Sequence, residues 1–186
     1  MLNFKLDEEI SLRIATESSA KDLYKLAEGS REYLREWLGW VDYVKSEEDI
    51  VRFLRETIKT SATEHRGYPI AFTISYNGET AGILDFHTIR KGSKIAEIGY
   101  WLGEDFQKRG IMIRAVKALI NYGFTELGLN KVEIKVASEN EKSRAIPERL
   151  GFVEEGILRQ AEWLYDHYVD HVVYGLLKKE WDEIQK

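Results

Sequence analysis

The chain has 186 residues but no cysteine and only two prolines. Without cysteine there can be no disulfide, no thiolate-bound metal and no covalent intermediate on a protein thiol. No apolar run approaches the roughly 20 residues that a membrane-spanning helix requires. Residues 1–10 carry Asp7, Glu8 and Glu9 instead of the apolar segment of a secretory signal. We therefore expect a cytoplasmic protein without membrane contacts.

An excess of basic charge is missing as well, since 27 Lys and Arg stand against 32 Asp and Glu and the formal net charge is −5. Binding to a nucleic-acid backbone normally depends on a basic face, so a direct nucleic-acid partner is not expected. Hydrophobic residues make up 44% of the chain, enough for a substantial core. No linker-like stretch rich in proline, glycine or serine interrupts the sequence, and the prediction is one domain over residues 1–186.

Hydrophobic periodicity predicts a mixed α/β (α+β) fold. Strands are predicted at Ile10–Ala15, Ile70–Tyr76, Glu79–Thr88, Ile95–Leu102, Lys131–Val136, Phe152–Trp163 and Tyr168–Leu177. Helices are predicted from Ala20 toward Trp37, from Ser46 to near Gly67, from Arg109 to Leu127, and after the cap Asn140 to Leu150. Asn77-Gly78 predicts a tight hairpin turn. The order favours a mostly antiparallel central sheet of about seven strands flanked by helices.

The stretch from Glu97 to Met112 carries the most chemical information, because it places a short polar loop between a strand and a helix. The first N–H groups of a helix have no intrahelical partner, and the helix dipole favours an anion there. Gly110 leaves room for a phosphate at the backbone, while Lys108 and Arg109 add positive charge. This pattern predicts a diphosphate site. The alternative is that Gly110 only eases helix packing and the two cations are solvated.

A family resemblance makes this prediction more specific. Gln107-Lys108-Arg109-Gly110 resembles the coenzyme A-binding motif of the GNAT N-acetyltransferase superfamily, which reads Gln or Arg, two residues, Gly, one residue, then Gly or Ala. Met112 departs from the last position, as in the ribosomal-protein N-terminal acetyltransferase-like subgroup. Further segments resemble signatures of that subgroup, namely Leu34–Val41, Ala96–Leu102 and Asn140–Phe152.

The resemblance implies the GNAT acyl-CoA N-acyltransferase fold, in which the strands ending at Leu102 and starting at Lys131 part to admit the pantetheine arm. It implies an enzyme that moves the acetyl group of acetyl-CoA directly to an amine, and it favours the N-terminal α-amine of a ribosomal-type protein. The alternatives are a small amine (a polyamine, an amino acid or an antibiotic) and a non-catalytic CoA-binding regulatory module. Some relatives form homodimers, so a second copy of the chain is a candidate partner.

The resemblance also assigns residues to the cofactor, with no metal. The cofactor-binding residues it implies are Trp101, Leu102, Gln107, Lys108, Arg109, Gly110, Ile111, Met112, Asn140 and Ser143. Glu97 is the candidate catalytic base, and a structural carboxylate is the alternative. Ser143, at the start of a helix, is the second catalytic candidate, able to contact the thioester sulfur. Helix capping alone would explain Asn140.

Two aromatic residues are the candidates for the acceptor pocket. Trp37 and Trp40 belong to an aromatic cluster that could wall the pocket together with Glu97, because an aromatic face can hold a cationic group. The alternative is packing of the first helices on the sheet. His167 and His171 have the spacing of a helical metal chelate but lie in a predicted turn and strand, so no metal site is expected.

Overall fold

The computed structural model describes residues 3–65 and 67–186. Residues 1 and 2, part of the segment considered for a secretory signal, lie outside that range. Within it the strands are β1 (Asn3–Lys5), β2 (Ile10–Ile14), β3 (Ala71–Tyr76), β4 (Glu79–Arg90), β5 (Ile95–Leu102), β6 (Lys131–Ala137), β7 (Val153–Leu164) and β8 (His167–Leu177). The helices are α1 (Ala20–Gly29), α2 (Arg31–Arg35), α3 (Glu47–Glu64), α4 (Ile111–Thr125), α5 (Glu141–Arg149) and α6 (Lys178–Ile184).

The described strands form one mixed sheet in the order β1-β2-β3-β4-β5-β6-β8-β7. β5 and β6 pair in parallel, whereas β1–β2, β2–β3, β3–β4, β6–β8 and β7–β8 are antiparallel. The predicted mixed, mostly antiparallel sheet with flanking helices is confirmed. It has one strand more than the seven expected, because β1 is only three residues long and shows no periodicity. Asn77 and Gly78 have φ of 49° and 88°, as the predicted hairpin turn requires.

The chain divides into two compact units, of which the first comprises Met1–Asp85 and Tyr100–Val116. One of its core clusters is made of small and aliphatic side chains mostly from the helices and strands, namely Ala15, Ala20, Leu23, Ile50, Leu54, Ala71 and Ile83. Leu23 and Leu54 are 1% and 0% exposed. Full burial of such a side chain contributes about 1.5–3 kcal/mol.

The predicted continuous helix from Ala20 to Trp37 is wrong in its second half. α1 ends at Gly29, α2 covers only Arg31–Arg35, and turns follow. Glycine is a weak helix former, and Ser30 at the junction leaves helical geometry with φ −118° and ψ 16°. The Ser30 hydroxyl oxygen accepts a hydrogen bond from the Glu104 N–H at 3.0 Å. A tertiary contact thus stabilises the break in the helix.

The second unit comprises Phe86–Gly99 and Lys117–Lys186. A Cβ on Gly123 would lie 2.9 Å from Phe86 Cζ, so this position in α4 accepts no larger residue without a shift. α6 was not predicted from the sequence, and its Trp181 indole donates to Asn121 Oδ1 at 2.6 Å. Among the described residues, no helix combines the length and the hydropathy needed to span a bilayer.

Candidate functional site

The loop between β5 and α4 contains two residues in the left-handed region. Lys108 has φ of 62° and Gly110 has φ of 66°. A 3-10 turn at Glu104–Phe106 leads into the loop, and α4 begins directly after it at Ile111. Left-handed residues in such a loop turn neighbouring N–H groups toward one side, which is how backbone nests bind anions.

The surroundings of Gly110 fit a phosphate group. A Cβ built on Gly110 would meet no heavy atom of the described residues within 4 Å, its immediate chain neighbours aside. The N–H groups of the first turn of α4 lack intrahelical partners and lie at the positive end of the helix dipole. An anionic group could therefore approach this backbone closely and accept hydrogen bonds from it. The helix predicted from Arg109 starts two residues later, because Gly110 is not helical.

The predicted polar side chains of the loop have different environments. Gln107 Nε2 donates to the Leu102 carbonyl at 3.2 Å, and Arg109 Nη2 donates to the Asp105 carbonyl at 3.2 Å. Both side chains therefore fold back and stabilise the loop itself. Lys108 is exposed, so its ammonium is the cation that can turn toward a phosphate.

Ile111 and Met112 are buried, with 1% and 6% of the residue exposed, so their side chains belong to the core. Burial of the Met112 side chain explains how this departure from the motif leaves the loop open. Leu102 is buried too, whereas Trp101 is half-buried with its ring 5.6 Å from that of Trp40. The site residues Trp101, Leu102 and 107–112 all belong to the first unit.

The aromatic segment after α2 is held by arginines. Arg31 donates to the Val41 and Val44 carbonyls, each at 2.6 Å, and Arg35 forms a bidentate pair with Asp42 at 2.9 and 3.0 Å. Trp40 packs with the cluster of Ala27, Leu34 and Val41, together with Tyr33, Leu38 and Trp101. Trp37 is half-buried on the same segment. Both tryptophans are thus partly accessible on a segment of fixed shape.

Glu97 lies in the second unit, at the point where the parallel pairing of β5 and β6 ends. The paired residues are Ile95 to Glu97 on β5 and Lys131 to Glu133 on β6. The Glu97 carboxylate accepts a hydrogen bond from Lys135 Nζ at 2.6 Å, and both side chains are partly buried. This ion pair joins the two strands at the end of their parallel pairing, and it was not predicted from the sequence.

Asn140 caps α5 as predicted. Its Oδ1 accepts a hydrogen bond from the backbone N–H of Ser143 at 3.1 Å. Ser143 is the third residue of the helix and is partly exposed. The cap therefore fixes the backbone from which the Ser143 hydroxyl projects.

Replacing Asn140 by alanine should lower the free energy of unfolding by about 1 kcal/mol, because the Ser143 N–H loses its side-chain acceptor and keeps only the Asn140 carbonyl at 3.1 Å. Asn140→Asp, which keeps the acceptor, should retain most of the stability. Urea unfolding monitored by circular dichroism measures both variants. Equal stability of Asn140→Ala and the wild type would show that the cap contributes nothing.

Sequence reasoning missed a polar network beneath α5. The buried Tyr174 hydroxyl donates to Glu148 Oε1 at 2.8 Å and accepts from Arg144 Nε at 2.9 Å. Burial raises the pKa of Tyr174, and the hydrogen bond donated to Glu148 acts in the same direction against the opposing effect of Arg144. Arg144 also donates to the Ser138 carbonyl at 3.1 Å. These contacts join β8 to α5.

The histidines near the β7–β8 turn have single carboxylate partners. His171 Nε2 lies 3.1 Å from Glu162 Oε2, and His167 Nδ1 lies 2.7 Å from Asp166 Oδ1. Over residues 3–65 and 67–186, no group of three or more metal-ligating side chains comes together. Of the predicted site residues, Glu97, Asn140 and Ser143 lie in the second unit and the others in the first.

In this mixed sheet, β5 leads into α4 through a loop with two left-handed residues, an arrangement that fits a phosphate-containing ligand. Residues 9–153 match the acetyltransferase (GNAT) domain family, and the chain belongs to that family. Over 186 residues it is 36% identical to the YdaF protein of Bacillus subtilis (strain 168), covering 98% of each chain. It is 37% identical over 172 residues to the ribosomal-protein-serine acetyltransferase of Escherichia coli (strain K12), covering 92% of this chain and 94% of that protein.

Two solved structures share the fold closely. The ribosomal L7/L12 α-N-protein acetyltransferase RimL in complex with coenzyme A has a TM-score of 0.89 and 31% identity, covering 96% of this chain and 99% of that one. Its coenzyme A is bound to a cysteine as a disulfide, a bond that this cysteine-free chain cannot form. The microcin C7 self-immunity acetyltransferase MccE, in complex with acetyl-CoA and AMP, has a TM-score of 0.85 and 30% identity, covering 93% and 94%.

Proposed function

We propose that this protein transfers the acetyl group of acetyl-CoA to the N-terminal α-amine of a ribosomal protein. The observation that carries the proposal is likeness along nearly the whole chain to acetyltransferases of ribosomal proteins, one of them in complex with coenzyme A. The proposal treats residues 1–186 as one catalytic domain, which acts in the cytoplasm as a homodimer.

The loop residues are proposed to hold the diphosphate of the cofactor. The N–H groups of Gly110 and Ile111 would donate to it, and Lys108 would add a charge. Leu102 and Trp101 would bind through their backbone, with one N–H polarising the thioester carbonyl. Bound acetyl-CoA supplies the activated acetyl group. The open space at Gly110 and the first turn of α4 support this assignment.

The transfer is proposed to be direct, because no cysteine can carry the acetyl group. The amine nitrogen bonds to the carbonyl carbon, the carbon–sulfur bond breaks, and the amine loses a proton while the thiolate gains one. An α-amine has a pKa of about 8, so about a tenth of it is neutral at pH 7 and little basic assistance is required. Ser143 is proposed to relay a proton: its hydroxyl passes a proton to the departing sulfur and takes one up from solvent, to which the amine releases its own. The Asn140 cap fixes the backbone position of Ser143 for this role.

For Glu97, the ion pair with Lys135 favours the structural role over the base. We expect Glu97→Gln to lower kcat less than about tenfold, because the amide can still accept a hydrogen bond from Lys135, whereas loss of a general base costs about 10²–10⁴-fold. The pH profile of kcat/KM should keep its shape in this variant. A larger loss, together with an acidic limb reduced to that of the acceptor amine's own ionisation, would instead identify Glu97 as the base.

Trp37 and Trp40 are proposed to line the acceptor pocket. The segment that carries them is held by Arg31 and Arg35, and a partly exposed aromatic face can hold a cationic peptide end.

The function is tested by thermal unfolding with acetyl-CoA, followed by thiol release over a panel of amines. At 100 times its dissociation constant, a ligand adds about 2.7 kcal/mol to stability, or about 5–10 °C in Tm for a chain of this size. The acceptors are ribosomal-protein N-terminal peptides, and the control peptides have the same sequence and a blocked α-amine. Mass spectrometry locates the acetyl group.

Acetylation of the free peptides alone, on the α-amine, is the expected result. Turnover of polyamines or amino acids in preference to every peptide would assign a small-amine substrate. A shift in Tm without turnover of any amine would assign a CoA-binding module. Absence of any shift at millimolar acetyl-CoA would refute the loop assignment.

A further inference from the structure

Arg114, in the first turn of α4, binds the backbone of the loop between β5 and α4. Its Nε donates to the Gly110 carbonyl at 3.3 Å, and its Nη2 donates to the Arg109 carbonyl at 3.2 Å. The Arg114 backbone N–H also approaches the Gly110 carbonyl at 3.4 Å. One side chain therefore binds the two consecutive carbonyl oxygens that precede the helix.

These two carbonyls belong to the peptide groups whose N–H donors are the proposed cofactor ligands. The Arg109 carbonyl shares a peptide plane with the Gly110 N–H, and the Gly110 carbonyl shares one with the Ile111 N–H. In a trans peptide the C=O and N–H bonds point in opposite directions, and none of the described peptide bonds is cis. Binding both oxygens to Arg114 therefore directs both N–H groups away from it. A cationic donor on a carbonyl also polarises the N–H of the same peptide.

The Arg114 guanidinium also binds two carboxylates. Its Nη1 donates to Asp7 Oδ2 at 2.8 Å and to Glu9 Oε2 at 3.1 Å, both in the turn between β1 and β2. Asp7 Oδ1 accepts from the N–H groups of Glu9 and Ile10 at 2.9 and 2.8 Å. The Tyr76 hydroxyl donates to Glu9 Oε1 at 3.2 Å. Both carboxylates thus have fixed positions.

The Tyr76 ring also contacts the loop between β5 and α4. The Arg109 guanidinium lies over that ring at 5.7 Å, and Phe106 packs against it edge-on with the centroids 6.3 Å apart. Arg109 and Phe106 flank the same loop. The carboxylates of Asp7 and Glu9 carry charge of the sign that would repel a diphosphate, and Arg114 pairs with both.

We propose that Arg114 is a positioning residue for the cofactor: it orients the Gly110 and Ile111 N–H groups toward the diphosphate and screens the carboxylates of Asp7 and Glu9 from it. This inference rests on the proposed function, which places the diphosphate of acetyl-CoA at the loop. A side chain with this role affects only ligands that carry the diphosphate.

The test compares coenzyme A with S-acetylpantetheine, which has the thioester arm but no diphosphate. In the Arg114→Gln variant, the dissociation constant of coenzyme A, measured by isothermal titration calorimetry, should rise about tenfold or more, because charge-assisted loop contacts are lost. The dissociation constant of S-acetylpantetheine, measured by ligand-observed NMR, should change less than about twofold. Arg114→Lys should lie nearer to Gln than to wild type, because a single ammonium cannot contact two carbonyls and two carboxylates together.

Arg55→Gln is the matched control. Arg55 forms a bidentate pair with Glu17 at 3.2 and 2.9 Å in the same unit, so this variant also loses an arginine–carboxylate contact. It should leave both dissociation constants unchanged. Equal weakening of both ligands by Arg114→Gln would show a merely structural role, and no weakening of either would overturn the inference while leaving the proposed function intact. If the wild type bound S-acetylpantetheine but not coenzyme A, the inference about Arg114 and the proposed function would both be refuted.

Discussion

Replacing Gly110 by valine is expected to weaken coenzyme A binding about a hundredfold while changing Tm by only a few degrees. Gly110 has φ of 66°, a region in which a β-branched residue is a strained outlier costing about 1–3 kcal/mol. Relief of that strain would rotate the Gly110 peptide and turn its N–H away from the diphosphate. A lost hydrogen bond to a charged group costs about 1.5–3 kcal/mol, and about 2.7 kcal/mol corresponds to a hundredfold.

The control for this variant is Gly128→Val. Gly128 has a similar φ of 62° and, like Gly110, open space around its Cβ position, but it lies between α4 and β6. The two variants therefore introduce the same backbone strain, one in the loop before α4 and the other in the connection after it. Calorimetric titration should show weak binding by Gly110→Val and wild-type binding by Gly128→Val. Wild-type affinity in Gly110→Val would show that the loop does not hold the cofactor.

The parts of the fold that local chemistry determines were predictable from the sequence. Asn77-Gly78 forms the expected turn, and Gly128 and Gly151 take left-handed φ values of 62° and 82° where helices were predicted to stop. The capping role of Asn140 depends on a residue three positions away. In each case the residues that determine the structure are neighbours in the chain, so a single sequence contains the necessary information.

The features that the sequence did not predict depend on distant partners. The break after α1 is accompanied by a bond between Ser30 and Glu104, which are 74 residues apart. Arg114 meets Asp7 across 107 residues, and nothing near Arg114 distinguishes it from a solvated arginine of a helix. In the same way, the Glu97–Lys135 pair becomes visible only once β5 and β6 are adjacent.

Lys131 is the cation shared by two carboxylates in the second unit. Its Nζ lies 2.9 Å from Glu133 Oε1 and 2.6 Å from Glu155 Oε2, and its side chain is 14% exposed. Glu133, with a side chain 11% exposed, also pairs with Arg90 at 2.5 Å. A Cβ on Gly175 would lie 2.4 Å from Glu155 Oε1 and 2.8 Å from Lys131 Cε, so this glycine provides the space that the cluster occupies.

We expect Lys131→Met to lower the free energy of unfolding by about 3 kcal/mol, or about 6–12 °C in Tm. Methionine fills a similar volume but leaves Glu133 and Glu155 next to each other without the ammonium between them. The substitution leaves Glu133 with Arg90 as its partner but leaves Glu155 without a cation in this cluster, which is why the loss should exceed the value of the pair itself. Urea unfolding and differential scanning calorimetry measure the change.

Two further variants determine whether the uncompensated charge is the cause. Lys178→Met removes the lysine of an exposed pair with Asp182, whose side chains are 45% and 55% exposed, and should cost less than about 0.5 kcal/mol. Adding Glu133→Gln and Glu155→Gln to Lys131→Met neutralises both carboxylates and should recover most of the lost stability. If the triple variant were no more stable than Lys131→Met alone, the loss would come from packing around Gly175. Recovery would show instead that the carboxylates left without the ammonium cause the loss, and that the packing of the lysine side chain contributes little.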